Sequence, residues 1–351
     1  MHRTAPIDKV SSVEPEFRYA PPAWLKNPHA QTIYASCLAP IPHVRFRRQY
    51  WETPDADFIE LDWTIGRQGT NDATSPDTPL IILFHGLEGS SRSHYARTFM
   101  HAAERRGWQG VVVHFRGCGG RPNRLARAYH SGDSAELAWV LERFRASYPN
   151  PLYVVAVSLG GNVLLKWLGE RGAQARETIA GACAISAPMD LVAAGTALDR
   201  GFNRLYTWNF LRTLRRKTAV KLSMHATSID ALAVARTRTL RGFDDLVTSQ
   251  LHGFQDAMDY WTRCSSKPWL KSIAVPTLVL NARDDPFLPA WALPAESEIS
   301  PSVTLDFPRH GGHVGFVTGR FPGTLQWLPQ RVLNFFETHR KRHRPAVNGV
   351  A

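Results

Sequence analysis

Short apolar, β-branched runs alternate with stretches of helical periodicity through most of the chain. Pro79–Gly86, Gln109–Gly117, Leu152–Ser158, Ile179–Ala187, Pro276–Ala282 and Ser302–Pro308 read as strands. Their nearly continuous apolarity is that of strands covered on both faces. Between them, Ser93–Gly107, Asp133–Pro149 and Gly160–Gly172 read as helices, with a further helix near Ala290–Ile299 and a last one over Gln330–Arg340. In the second of these, Leu137, Val140, Leu141 and Phe144 share one face, and Asp133 and Glu136 have capping-box spacing. Strand and helix taking turns predict an α/β fold, a mostly parallel central sheet flanked by helices.

Three segments depart from that rhythm. Residues 1–42, rich in Pro and aromatics, predict an arm packed on the core; the core itself is expected over 43–187 and 268–345. At its start Val44–Pro54 and Asp57–Gly66 read as two antiparallel strands, and Gly69–Pro79 as a polar loop. Residues 188–267 are helical, aromatic and basic with no convincing strand, which predicts a helical lid inserted over the sheet's carboxyl edge. There Phe202, Leu205, Tyr206, Trp208, Phe210, Leu211 and Leu214 fall at near-helical spacing, which serves packing on the sheet domain and the lining of an acyl pocket alike; a lid that shapes the pocket is expected. Arg212, Arg215, Arg216 and Lys217 are expected on the outer face, open to anionic headgroups.

Charge adds little that is specific. Lys and Arg number 42 against 30 Asp and Glu, a formal net charge of +12. Much of the excess lies in Leu211–Lys217, Arg236–Arg241 and the tail His339–Arg344. With no zinc-finger spacing, RNP-type motif or basic zipper, the expectation is solvated basic faces and no nucleic-acid partner, with peripheral contact to an anionic membrane surface as the alternative. Cys37, Cys118, Cys183 and Cys264 form no C-x-x-C pair, and the first residues lack the apolar core of a secretory signal; a cytoplasmic protein is expected.

The chemistry concentrates where strands end. Ser158 closes the strand Leu152–Val157 and opens a glycine-started helix, with Ala156 and Gly160 two positions away on either side. A strand-to-helix turn this sharp exposes the hydroxyl and tolerates only small neighbours. It is a nucleophile elbow, G-x-S-x-G, with Ala in the first glycine's place. A carboxylate and an imidazole should follow in that order. Asp285, with Pro289 four residues on, fits the acid and Asp284 competes; His313, flanked by glycine, fits the base and His310 competes. "LFHGLEGS" resembles an oxyanion loop, in which the Leu87 N–H would complement that of Leu159, while His85 serves structure. Cys118 reads as small packing, and His310 with His313 lack the frame of a metal site.

Longer strings carry a family resemblance. "PPAWLKNPHAQT", "HGLEGSSRSHYAR", "HFRGCGGRPNRLARAYHSGD", "SLGGN", "FDDLVTSQLHGFQDAMDYW", "NARDDPFLP" and "HGGHVGF" together resemble the YheT-like hydrolases of the α/β-hydrolase superfamily, relatives of the abhydrolase-domain lipid esterases. The resemblance implies the α/β-hydrolase fold and an esterase with Ser158, Asp285 and His313 as charge-relay residues, no cofactor, and a small-molecule or lipid ester as substrate. The departure is Ala156, where Gly is more usual. An acyltransferase with the same machinery, or an inactive binding protein on this fold, stand as alternatives.

Overall fold

A computed structural model describes residues 18–65 and 78–343. Most of the expected 69–79 loop, the first part of the arm and the end of the basic tail lie outside the described residues. Helices of eight residues or more are numbered here. The elements run α1 (Pro28–Cys37), β1 (Phe46–Glu52), β2 (Phe58–Thr64), β3 (Leu80–Phe84), α2 (His94–Arg105), β4 (Gln109–His114), α3 (Ser134–Ser147), β5 (Leu152–Val157) and α4 (Leu159–Arg171). They continue with β6 (Gly181–Ile185), α5 (Leu191–Leu198), α6 (Arg204–Met224), α7 (Ala257–Cys264), β7 (Thr277–Leu280), β8 (Val303–Asp306) and α8 (Trp327–His343).

The eight strands form one sheet in the order β1-β2-β4-β3-β5-β6-β7-β8. β1 and β2 pair antiparallel with each other and β2 antiparallel with β4; every later pairing is parallel. Alternate residues serve opposite faces. Ile82, Phe84, Val154 and Ala156 pack with α3 and α4 side chains such as Leu141, Val163 and Leu168. Ile81, Leu83, Tyr153 and Val155 pack with Phe99 of α2 and Val332 and Phe336 of α8. With both faces covered, an inner strand has no polar side to present, which is why these strands read as unbroken apolar runs.

Three expectations need correction. Asp133 and Glu136 form no capping box: Asp133 makes no cap hydrogen bond to α3. Both oxygens of Asp133 instead accept from Arg127 Nη2, at 2.7 Å, and Glu136 pairs with buried Arg116. The helix near Ala290–Ile299 is only two three-residue 3₁₀ turns, Ala290–Ala292 and Glu296–Glu298. Pro294 between them lacks the N–H a continuous helix would need. The last helix starts at Trp327, earlier than expected, because Pro329 falls in its first turn, where a missing N–H costs nothing.

Between β6 and β7 the regular elements among the described residues are all helical. α6 packs Leu211 with Leu198, Ile229, Val234, Leu240 and Phe243, a small core of its own that also takes in Phe287 from the loop after β7. At the other side α1, capped by Asn27 accepting from Ala30 N at 3.0 Å, packs Ala35 with Leu25, Val317 and Leu325. Among the described residues no helix is long and apolar enough to cross a membrane.

Candidate active site

β3 and β5 are neighbours with Phe84 opposite Ala156, so the chain leaving each strand emerges side by side at the carboxyl edge. Ser158 follows β5 with φ 52 and ψ −120, a left-handed conformation of the kind that costs about 1–3 kcal/mol for a residue with a side chain. Its N–H is held by Ile185 O at 2.8 Å, and α4 starts at the next residue. Two glycines make this turn possible. A Cβ on Gly160 would stand 2.6 Å from His85 O, and one on Gly86 would stand 2.9 Å from Ser158 Cβ. Ala156, by contrast, is ordinary buried strand in register with Ala184, so the extra methyl distorts nothing there.

The loops after β7 and β8 meet the hydroxyl. His313 Nε2 lies 3.0 Å from Ser158 Oγ, and His313 Nδ1 lies 3.0 and 3.2 Å from the two oxygens of Asp285. A carboxylate can only accept, so Nδ1 carries the proton and Nε2 is the lone pair that faces Ser158. Asp285 is buried; one oxygen also accepts the Phe287 N–H at 2.8 Å. The Phe287 ring stacks on the imidazole with centroids 4.0 Å apart.

Asp284 and His310, the competitors, pair with each other at 3.0 Å. The second Asp284 oxygen accepts from Gly312 N at 3.0 Å, so this pair fastens the loop that carries His313. Thr32 of α1 does the same from the other side, accepting the His313 N–H at 2.9 Å.

Leu87 and Leu159 border one cavity of about 540 Å³ together with Ser158 and His313. Neither backbone N–H has an acceptor among the described residues. His85 is fully buried, which pushes its pKa down to about 3 and keeps it neutral. The Phe115 N–H donates to its Nε2 at 3.1 Å, leaving Nδ1–H for Gly86 O at 2.7 Å: the ring braces the loop. Burial pushes the Cys118 thiol up to about 12, the reverse of what a nucleophilic cysteine needs. Among the described residues no three His, Cys, Asp or Glu side chains converge as a metal site would require.

The cavity's far walls are apolar side chains, including Leu198, Phe210, Leu214, Phe243 and Val247. Phe202, Leu205, Tyr206, Trp208 and Leu211, also expected there, are not among them. Leu211 is buried beneath the helix in the core of the helical segment, and Leu205 points to an outer groove. Arg216 and Lys217 also depart from expectation: both border the cavity, and Lys217 turns inward, 2.8 Å from Glu88 and 3.3 Å from Cys118 Sγ. The low-dielectric wall rewards this pairing, and Tyr129 OH donates to the same Glu88 oxygen at 2.8 Å.

A family model described as the alpha/beta hydrolase fold matches residues 79–320. The Escherichia coli (strain K12) protein named "Putative esterase YheT" is 37% identical over 332 residues, 92% of this chain and 93% of its own. The chain belongs to the YheT-like family of α/β-hydrolases. This hydrolase is also 31% identical over 322 residues to human "Phospholipase ABHD3", spanning 91% of this chain and 78% of that one. In solved structures its fold is similar to that of the Pyrococcus furiosus esterase Pf2001, at TM-score 0.53 and 15% identity, with 86% of this chain and 98% of that chain covered.

Phe287, Thr32 and the Glu88–Lys217 pair were not singled out from the hydrolase's sequence. Phe287 stands two residues after Asp285 and could have been suspected as its neighbour. Thr32 lies 281 positions from His313 and Lys217 lies 129 from Glu88, separations at which no local pattern signals contact.

Proposed function

We propose that this hydrolase cleaves carboxylic esters, lipid esters among them, with Ser158 as nucleophile, His313 as general base and Asp285 as its orienting carboxylate. One observation carries the reading: the hydrogen-bonded run Ser158 Oγ–His313 Nε2 and His313 Nδ1–Asp285 opens into a largely apolar cavity. His313 takes the hydroxyl proton as Oγ bonds to the ester carbonyl carbon, and the carbonyl electrons move onto oxygen. The N–H groups of Leu87 and Leu159 hold that oxyanion, each such donor contributing about 3–4 kcal/mol to the transition state. The C–O bond to the alcohol then breaks as His313 returns the proton to it. Water repeats the sequence on the acyl-enzyme and releases the acid.

Asp285 keeps its charge beside the imidazolium that forms in each half-reaction, and Phe287 fixes the ring's plane. The relatives' names, an esterase and a phospholipase, support an ester substrate with an acyl chain, and the cavity's apolar walls fit such a chain. The segment 188–267 acts as the lid of this cavity, with Phe210 and Leu214 as its lining from α6. The cysteines are unpaired thiols among the described residues, which fits a cytoplasmic setting. The test is product analysis with p-nitrophenyl esters of increasing acyl length, with and without an added alcohol. Turnover to free acid supports hydrolysis. Acyl transfer to the alcohol in preference to water, or no turnover with any ester, contradicts it.

A further inference from the structure

α6 presents two faces with different surroundings. Over its 21 residues it carries Arg204, Arg212, Arg215, Arg216, Lys217 and Lys221 and not one Asp or Glu. Lys217 and Lys221 turn toward the core, onto Glu88 and onto the carbonyls of Asn123 and Leu125. The opposite face keeps its hydrophobic side chains in water. Trp208 is 57% exposed, Leu205 50%, and Phe202, just before the helix, 53%. They line a shallow outer groove together with Arg204, Arg215 and Arg238. The Arg212 guanidinium lies 5.6 Å from the Trp208 ring centroid.

A merely solvated helix face would expose charges of both signs and few large apolar groups. This one sets a Trp, a Leu and a Phe among arginines, with no acid on the helix to neutralise them. Such a face fits a bilayer interface, where apolar side chains enter the acyl boundary while guanidinium groups reach lipid phosphates. A nucleic-acid backbone would match the charge but leave Leu205 in water. The inner face of the same helix lines the cavity through Phe210 and Leu214.

We propose that the outer face of α6, through Phe202, Leu205, Trp208 and Arg212, docks the protein on an anionic lipid surface. Docking holds the cavity's roof against the bilayer, where a water-insoluble ester resides. The purpose of docking rests on the ester-hydrolase reading; the docking itself is measured without turnover, so either can fail alone.

The experiment is flotation of the full chain with vesicles of phosphatidylcholine alone and of phosphatidylcholine with equimolar phosphatidylglycerol. Binding to the anionic vesicles only, released by added salt, is expected. Leu205→Ser with Trp208→Ser should lower the partition coefficient by about tenfold or more. Arg212→Gln should lower it about fivefold, whereas Arg47→Gln, the same charge change on exposed β1, should have little effect. Thermal melting followed by circular dichroism checks that each variant is folded, and Arg212→Gln decides the matter if the double variant is not. Equal binding to both vesicle types, no binding to either, or an equal loss with Arg47→Gln would overturn the proposal; so would retention of the anionic vesicles by the α6 variants.

Discussion

Gly160→Ala tests the elbow where the structure is tightest. The added Cβ would sit 2.6 Å from His85 O and 3.1 Å from Phe84 O, both backbone atoms of the chain leaving β3. That is roughly 0.8 Å inside ordinary contact, and neither carbonyl belongs to a flexible side chain that could swing aside. Relief requires α4 to back away from the β3 loop, at a cost of about 1–3 kcal/mol in stability. Ser158 and Leu159 are the two residues before Gly160 and must move with the helix start. A misplacement approaching 1 Å at a reacting group costs about 100-fold in rate. Urea unfolding should therefore show the loss of stability, and steady-state hydrolysis of p-nitrophenyl acetate a fall in kcat of about 30- to 100-fold with KM little changed. The adjacent comparison is Ala156→Gly. It removes a buried methyl from β5, so it should cost about 1 kcal/mol in stability and leave kcat nearly intact. A Gly160→Ala protein with wild-type stability and kcat would refute this account of the turn.

Asp285→Asn should lower kcat about 10,000-fold, because an amide can donate to Nδ1 and turn the wrong tautomer toward Ser158. Asp284→Asn keeps an oxygen for the Gly312 N–H and should cost about tenfold or less, measured on the same p-nitrophenyl ester. Leu214→Trp fills part of the cavity and should depress kcat/KM for long acyl esters about tenfold relative to short ones, while Leu205→Trp on the outer groove should leave the ratio unchanged. Burial raises the Asp244 carboxyl from 3.8 to about 6. Its folded value lies above its unfolded one, so the stability it contributes is complete below 3.8 and is lost as pH rises through about 6. Asp244→Asn cannot ionise and should remove that decline, read from urea midpoints across the range.

What could be read in the sequence follows from range. The parallel strands were legible because burial on both faces leaves a continuous apolar run that needs no partner to be recognised. The sharp turn at Ser158 was legible because its constraints, a small residue on each side and a helix start, are all local. In the sequence only one proline separates Asp285 from Asp284; in the structure the two carboxylates take different partners, Asp284 pairing with His310 and Asp285 with His313. Glu136 has the right spacing for a cap, yet Arg116, 20 residues away, takes it. Lys217 belongs to a basic run that reads as surface, and only the fold brings Glu88 to it. The leucines of α6 show the same limit, since near-helical spacing does not say which face meets the cavity.

Whether Ser158 is the nucleophile of an ester hydrolase can be read with a fluorophosphonate probe, the modified residue being located by peptide mass spectrometry. One equivalent of label, on Ser158, is expected, formed in step with loss of esterase activity and absent from folded Ser158→Ala. Label on another residue, or full esterase activity in Ser158→Ala, would contradict it.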